Sequence, residues 1–437
     1  MNLNSIQNQF SKKNIFFYII LLIPIWIVSG PFLPDLLVVL SSLFFFKFFY
    51  QNKIFFFNIK FVKLFLIFYL ILIFSTIFSD NILYSFKTTL PYIRFLFFTL
   101  IIFSFCIFNK DFIKIFSKVF VFIYLLIVFD AYFQFIFGYN LIGLVSPIDN
   151  RLSGFFGDEL ILGSYLSRLF PLFFFCLYFL KIKFSFIFFF TMITGISTLF
   201  IGDRTGLLFM FLINIYFFLL NKEFRKFSLI FFIFYLLIGI VLINFNSNIN
   251  SRYTQTLGEL GINKKYVPGY NFDLKNYNNK LFKKFNFFSP MHENYLMTSL
   301  NIFKDSPILG HGPRSYRLKC KLPEYSFDQL SCSTHPHNVY AQLLSETGLI
   351  GSIFIFIIFL YFLFLPIRHF IFSFNVVKYK KYLLSNFEIC LLPSFLITLF
   401  PFAPSGNFFN NWLSIVYFLP VGFYLSLKYL KSINYEK

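Results

Sequence analysis

The chain has 437 residues and a formal net charge of +20; 58% of its residues are hydrophobic and only 13% charged. Soluble domains carry roughly 25% charged residues, and the mean hydropathy here is +0.73, which excludes a soluble globular domain. The positive charge does not indicate nucleic acid, because the basic residues sit in short loops between apolar runs, as the positive-inside rule requires.

About 20 apolar residues cross the hydrocarbon core of a bilayer. Runs of that kind lie near 14–30, 33–51, 62–79, 92–108, 116–137, 160–180, 184–201, 205–220, 227–245, 348–366, 386–403 and 408–428. They predict an all-α polytopic membrane protein of about twelve spans. Lys12 and Lys13 precede a run that reaches Ser29 without a small-x-small cleavage site, so that run reads as the first membrane helix. The 78 phenylalanines read as lipid-facing filler. The organisation expected is residues 1–246 with spans one to nine, 247–347 as a loop domain, and 348–437 with spans ten to twelve.

Charge fixes the expected orientation. With the N-terminus inside, the cytoplasmic segments collect Lys12, Lys13, Lys60, Lys63, Lys110, Lys114, Lys118, Lys181, Lys183, Lys222, Arg225, Lys226, Lys378, Lys380, Lys381 and Lys437, among others. The short outside loops hold only Lys87, Arg94, Arg151, Arg168 and Arg204. Both termini are then inside and the long loop outside, long loops being exempt from the rule. Cys106, Cys176 and Cys390 lie in or beside spans and read as packing residues. Cys320 and Cys332, twelve residues apart in the outside loop, suit a disulfide in an oxidising compartment. Two free thiols or a metal pair are the alternatives, and no third and fourth ligand stands at suitable spacing for a metal.

Four outside segments carry nearly all the polar chemistry: Arg151 to Glu159, Gly202 to Gly206, Asp305 to Arg317, and His335-Pro336-His337-Asn338. Arg204, between two apolar spans, sits at the membrane surface. It is either a snorkelling anchor that pairs with Asp203 or a guanidinium fork for a phosphate or diphosphate; Arg151 has the same two readings. After His337, the residues Val339, Tyr340, Leu343 and Leu344 have helical spacing that Gly348 interrupts. His337 and Asn338 therefore begin a short interfacial helix, whose N-terminus disfavours an imidazolium. Residues 292–303 read as a second helix ended by Asp305-Ser306-Pro307, and 259–289 as irregular.

His337-Asn338, nine residues, then Gly348-Leu349-Ile350-Gly351 resembles the signature of the O-antigen ligase and O-antigen polymerase superfamily of bacterial envelope proteins. Pro307-Ile308-Leu309-Gly310-His311-Gly312 resembles the Pro-x-x-Gly-x-Gly element of the same family. The resemblance implies transfer of a glycan from an undecaprenyl-diphosphate carrier, in a bacterial inner membrane, with no cofactor, metal or nucleotide sugar. In ligases the acceptor is a lipid A-core sugar; in polymerases it is another lipid-linked repeat. By motif, His337 matches the general base, Arg204 the diphosphate-holding arginine, and Arg151 an Arg-x-x-Gly element before span six. Ligases often have an arginine where this chain has Met291-His292-Glu293, so Arg252, Arg314 and Arg317 are the candidates for that charge, with His335 and Asn338 as further substrate contacts. A twelve-span transporter or flippase is the competing class, with Asp130 and Arg168 as its mid-span charges.

Overall fold

Within a bilayer no water reaches backbone N–H and C=O groups, so an apolar run satisfies them internally as a helix. A computed structural model describes residues 10–12, 14–259, 289–327, 331–375 and 382–435; most of these are helical, with no β-strand among them. The expected irregular stretch lies, but for its two ends, outside the described residues, as do Lys13, Lys378, Lys380, Lys381 and Lys437.

The first apolar runs form α1 (Ile15–Leu21), α2 (Ile23–Trp26), α3 (Phe32–Gln51), α4 (Lys53–Phe57), α5 (Lys60–Ile77), α6 (Ile82–Thr89) and α7 (Arg94–Phe108). They continue as α8 (Phe112–Phe137), α9 (Leu162–Phe179), α10 (Phe184–Ile201), α11 (Arg204–Leu220), α12 (Lys222–Phe245) and α13 (Ser247–Glu259). After the undescribed segment come α14 (Pro290–Asp305), the single turn α15 (Tyr316–Lys319), α16 (Val339–Phe372), α17 (Asn386–Thr398) and α18 (Asn411–Tyr435).

Nine helical stretches among the described residues are long and apolar enough to cross a membrane, with α11 and α17 as shorter apolar helices. The protein is an all-α polytopic membrane protein. The first expected span is not one helix: the chain breaks at Leu22, just before Pro24, into α1 and α2. The eleventh ends at Thr398 instead of 403, ahead of a loop carrying Pro401 and Pro404, because proline supplies no N–H to continue a helix. The fourth begins at Ile82, ten residues early, since a 3-10 turn at Leu90–Ile93 carries the helix past Pro91.

Two further expectations need correction. Arg168 is not in a loop but inside α9, 3% exposed. Its Nε donates to Ser164 Oγ at 3.1 Å, and its guanidinium lies 4.9 Å from the Phe209 ring centroid and 5.6 Å from that of Tyr417. Ring faces can hold a cation away from water. The phenylalanines are not merely filler for the lipid face either, since Phe45, Phe98, Phe103 and Phe112 are fully enclosed. The most enclosed span is α9, which packs against α8, α10, α11 and α17. A Cβ on Gly163 of α9 would lie 2.4 Å from Asp203 Cβ, so the start of α9 presses on the turn that carries Arg204.

Candidate functional site

The site is built on a break in α16. Gly348 has φ 64° and ψ −162°, a combination open essentially only to glycine. Such a break frees backbone groups that a continuous helix would pair. The Pro307–Gly312 loop takes them up. Leu349 N donates to Pro307 O at 2.8 Å and Ile350 N to Ile308 O at 3.4 Å, while His311 N donates to Ser345 O at 3.2 Å and Gly312 N to Glu346 O at 2.8 Å. The approach leaves no room for side chains: a Cβ on Gly348 would stand 2.2 Å from Ile308 O, and one on Gly310 2.4 Å from Glu346 C. Two motifs that the sequence held apart are thus one interlocked element.

The loop is fastened to the first half of the chain as well. The buried His311 places Nδ1 3.1 Å from Asp80 Oδ2 and Nε2 3.2 Å from Ile302 O. Lys319 Nζ pairs with the same Asp80 oxygen at 2.5 Å. That bond, helped by His311, holds the Asp80 carboxyl below its usual range. Cys320 and Cys332 are joined as a disulfide with Cα atoms 5.0 Å apart, tying the end of α15 to the chain just before Ser333.

His337 sits at the entrance to α16 with φ 53°, in the left-handed region. Its neighbours hold it there. Its carbonyl accepts from Ser405 N at 2.9 Å, and Asn338 caps the helix by accepting from Tyr340 N at 3.0 Å and Ala341 N at 3.1 Å. The Asn338 amide also donates to Pro401 O at 2.7 Å, so both ends of this side chain serve the backbone. His337 Nε2 lies 3.3 Å from Ser333 Oγ.

Around that ring stand two more imidazoles and a phenol. Ring centroids of His335, Tyr295 and His292 lie 4.0, 5.4 and 5.7 Å from that of His337. His292 and Tyr295 are three residues apart on one face of α14, and Ser289 Oγ lies 2.5 Å from His292 Nδ1. Burial makes a charged imidazole costly. It lowers the pKa of His337, and brings His292 to about 4 with help from His337 and Arg204. It brings His335 to about 3, with His337 and Arg317 adding to the effect. Burial therefore favours the neutral form of all three rings.

The arginines fall into two groups. Arg151, Arg204 and Arg252 surround the turn at Gly202: Leu152 N donates to Ile201 O at 3.0 Å, and Arg252 Nε donates to Gly202 O at 3.0 Å. Arg151 Nη2 donates to Leu160 O at 2.8 Å. Asp203 caps α11, its Oδ1 accepting from Thr205 N at 3.1 Å and Gly206 N at 3.3 Å. Arg204 is the bridge to the histidines, close enough to His292 to depress its pKa. Arg314 and Arg317 form the second group, beside Glu346. Each has a buried Nε without a hydrogen-bond partner among the described residues. Glu346, fully buried ahead of the membrane-spanning part of α16, accepts from Tyr316 N at 3.2 Å and Gln342 Nε2 at 3.0 Å. Burial pushes its carboxyl up to about 7, although Gln342, the Arg314 and Tyr316 N–H groups and Arg317 pull it down.

Sequence reasoning gave His292 no role in the site and passed over Tyr295, Ser333, Gln342 and Glu346. The i, i+3 spacing of His292 and Tyr295 was a usable signal; Glu346 lay hidden among the nine residues between the two halves of the signature. Chemically, the arrangement offers a neutral base next to a cationic turn suited to a phosphate-bearing leaving group. Among the described residues, no three His, Cys, Asp or Glu side chains are grouped to hold a metal ion.

No curated protein matches the chain. Residues 186–356, from α10 into the spanning part of α16, match the family model described as O-antigen ligase. That segment holds Arg204, Arg252, His292, Arg314, Arg317, His335, His337, Asn338 and the Gly348–Gly351 break, and leaves out Arg151. The match supports a place for this segment in the O-antigen ligase superfamily, whose members transfer glycans as ligases or polymerases.

Proposed function

We propose that the protein is an O-antigen ligase-type glycosyltransferase. It moves a glycan from undecaprenyl diphosphate to a lipid A-core or similar acceptor on the periplasmic face of a bacterial inner membrane, with both termini cytoplasmic. In one inverting displacement, neutral His337 takes the proton of the acceptor hydroxyl. The acceptor oxygen bonds to the anomeric carbon as the bond from that carbon to the diphosphate oxygen breaks, and the diphosphate departs with the electron pair. Arg204, with Arg151 and Arg252 at the same turn, stabilises the charge that develops there. Arg317, next to His335 and Glu346, serves the glycan end of the site together with Arg314.

The observation that carries this reading is the enclosure of the His337 ring by those of His335, Tyr295 and His292, with the arginine turn on the far side of His292 close enough to act on it. A base must be neutral to accept a proton, and a guanidinium fork suits a diphosphate. The test is His337→Ala in the native host, with surface glycan and lipid-linked glycan analysed together. Polymer stranded on undecaprenyl diphosphate with bare lipid A-core is the expected result. Single repeats in place of polymer would make the protein a polymerase. Unchanged glycan in both pools would remove His337 from the chemistry and reopen the transporter reading.

A further inference from the structure

Residues 138–149, between the end of α8 and Arg151, form a loop turned inside out. Ile142 and Val145 are 66% and 68% exposed, and Tyr139, Leu144 and Ile148 are exposed as well, whereas the polar Asn140 is 0% exposed. In water the opposite distribution is expected.

Buried polar groups hold the loop backbone. Asn140 Oδ1 accepts from Ile142 N at 3.1 Å and Leu144 N at 2.7 Å, and its amide donates to Gly154 O at 2.8 Å. Asp130 Oδ1 accepts from Leu141 N at 2.8 Å, and Gln134 Nε2 donates to Leu144 O at 3.3 Å. Asn140 N donates to Leu144 O at 2.9 Å, and Gly143 N to Asn140 O at 2.9 Å. Non-helical backbone tolerates an apolar medium only when its polar groups are satisfied from within the protein. The N–H groups of residues 140–144 all find such partners, and the side chains left outward there are apolar. Between Asp130 and Asp149 the sequence has no charged residue.

We infer that this loop inserts into the acyl region of the leaflet on the side of the arginine turn. Lipid, rather than a second chain, is the occupant because the exposed face continues without a polar break from the end of α8, a membrane-spanning helix whose Phe129 and Phe137 are likewise exposed. The insertion sets a depth. Ser146 Oγ donates to Arg151 O at 2.5 Å, so a loop seated in lipid holds the Gly202 turn and its arginines at the level of the headgroups. This inference does not depend on the reaction proposed above.

The experiment uses the full chain in phosphatidylethanolamine–phosphatidylglycerol vesicles. A nitroxide is placed singly at Ile142→Cys, Val145→Cys or Asp149→Cys, and its accessibility to oxygen and to a water-soluble nickel chelate is read by power saturation. The native free cysteines are buried, and wild-type protein put through the same labelling gives the background. Insertion predicts an oxygen-to-nickel ratio at positions 142 and 145 several-fold above that at 149. Nickel access at 142 and 145 equal to that at 149 would put the loop in water and overturn the inference. Shielding from both reagents would overturn it in favour of a protein contact.

Discussion

The two parts of α16 share one helix yet are built oppositely. In Val339–Thr347, before the break, Gln342, Ser345, Glu346 and Thr347 are each 0% exposed. After it, Ile353 and Ile357 are 50% and 58% exposed. Polar groups turned inward call for protein around them, whereas apolar groups turned outward call for hydrocarbon. Gly348 therefore marks the border at which the helix leaves the site and enters the bilayer. The signature carries the proposed base, His337, at one end and this border at the other.

Breaking the border gives the largest expected effect. Gly348→Ala forces a side chain into a conformation that costs about 1–3 kcal/mol, before its contact with Ile308 O is counted. The contact is with backbone, which cannot move aside without releasing the Pro307–Gly312 loop from both parts of α16. Glycan transfer is expected to be lost and the melting temperature of the purified protein to fall. Gly351→Ala is a second break, because its Cβ would crowd Thr347 Cβ as well as Oγ1, and rotation of that side chain moves only the hydroxyl and the methyl. Full transfer by Gly348→Ala would mean that the interlocked loop has no part in the reaction.

Why the sequence could reveal the spans but not the whole site follows from this element. Hydrophobic runs are local, so the bundle, its all-α class and the helix at 290–305 could be read directly. The start of the helix at Asn338 and its interruption at Gly348 were legible too, since a cap and a glycine act on their own neighbours. The pairing of Gly348 with Ile308, of Ser405 with His337 and of Asp80 with His311 joins residues far apart in the chain, and no periodicity records such contacts. His292 was read only as a departure from the family pattern; packing against His337 gives it a place. Arg168 misled for the converse reason, because the rings that hold it come from α11 and α18.

Comparing one side chain from each part sharpens the contrast. Gln342 donates to Asn407 Oδ1 at 2.9 Å as well as to Glu346, and accepts from Phe408 N at 2.8 Å. Gln342→Ala leaves those buried partners short of a bond, at about 1–3 kcal/mol for each group left unsatisfied. Ile357→Ala exchanges one lipid-facing side chain for a smaller one, a change of about 0.3–0.6 kcal/mol on an insertion scale. Denaturant or thermal titration in detergent should therefore separate the two variants clearly. Equal losses would mean that Ile357 is packed against protein and the assignment of the second part to lipid is wrong.

The smallest effect expected is on the pH dependence of transfer, and its sign follows from burial. An exposed histidine loses its free base as pH falls through about 6.5. The His337 pKa is lowered, so the base persists below that point and the acid limb of the rate profile should lie under pH 6.5. Stability should fall in the same direction as activity but begin to do so at higher pH. Below pH 6.5 an unfolded chain protonates its imidazoles, while His292 and His335 stay neutral down to about 4 and about 3 in the fold. The unfolded state then binds more protons, and acid favours it. Glu346 opposes this, because its folded pKa of about 7 makes the native state the one that holds a proton between pH 4.5 and 7. Several imidazoles outweigh one carboxyl, so hydrogen exchange across 331–347 should quicken from pH 6.5 towards 5 while transfer continues. A rate midpoint at or above pH 6.5 would mean that the imidazole is solvated during turnover and that the enclosure around His337 opens before the proton moves.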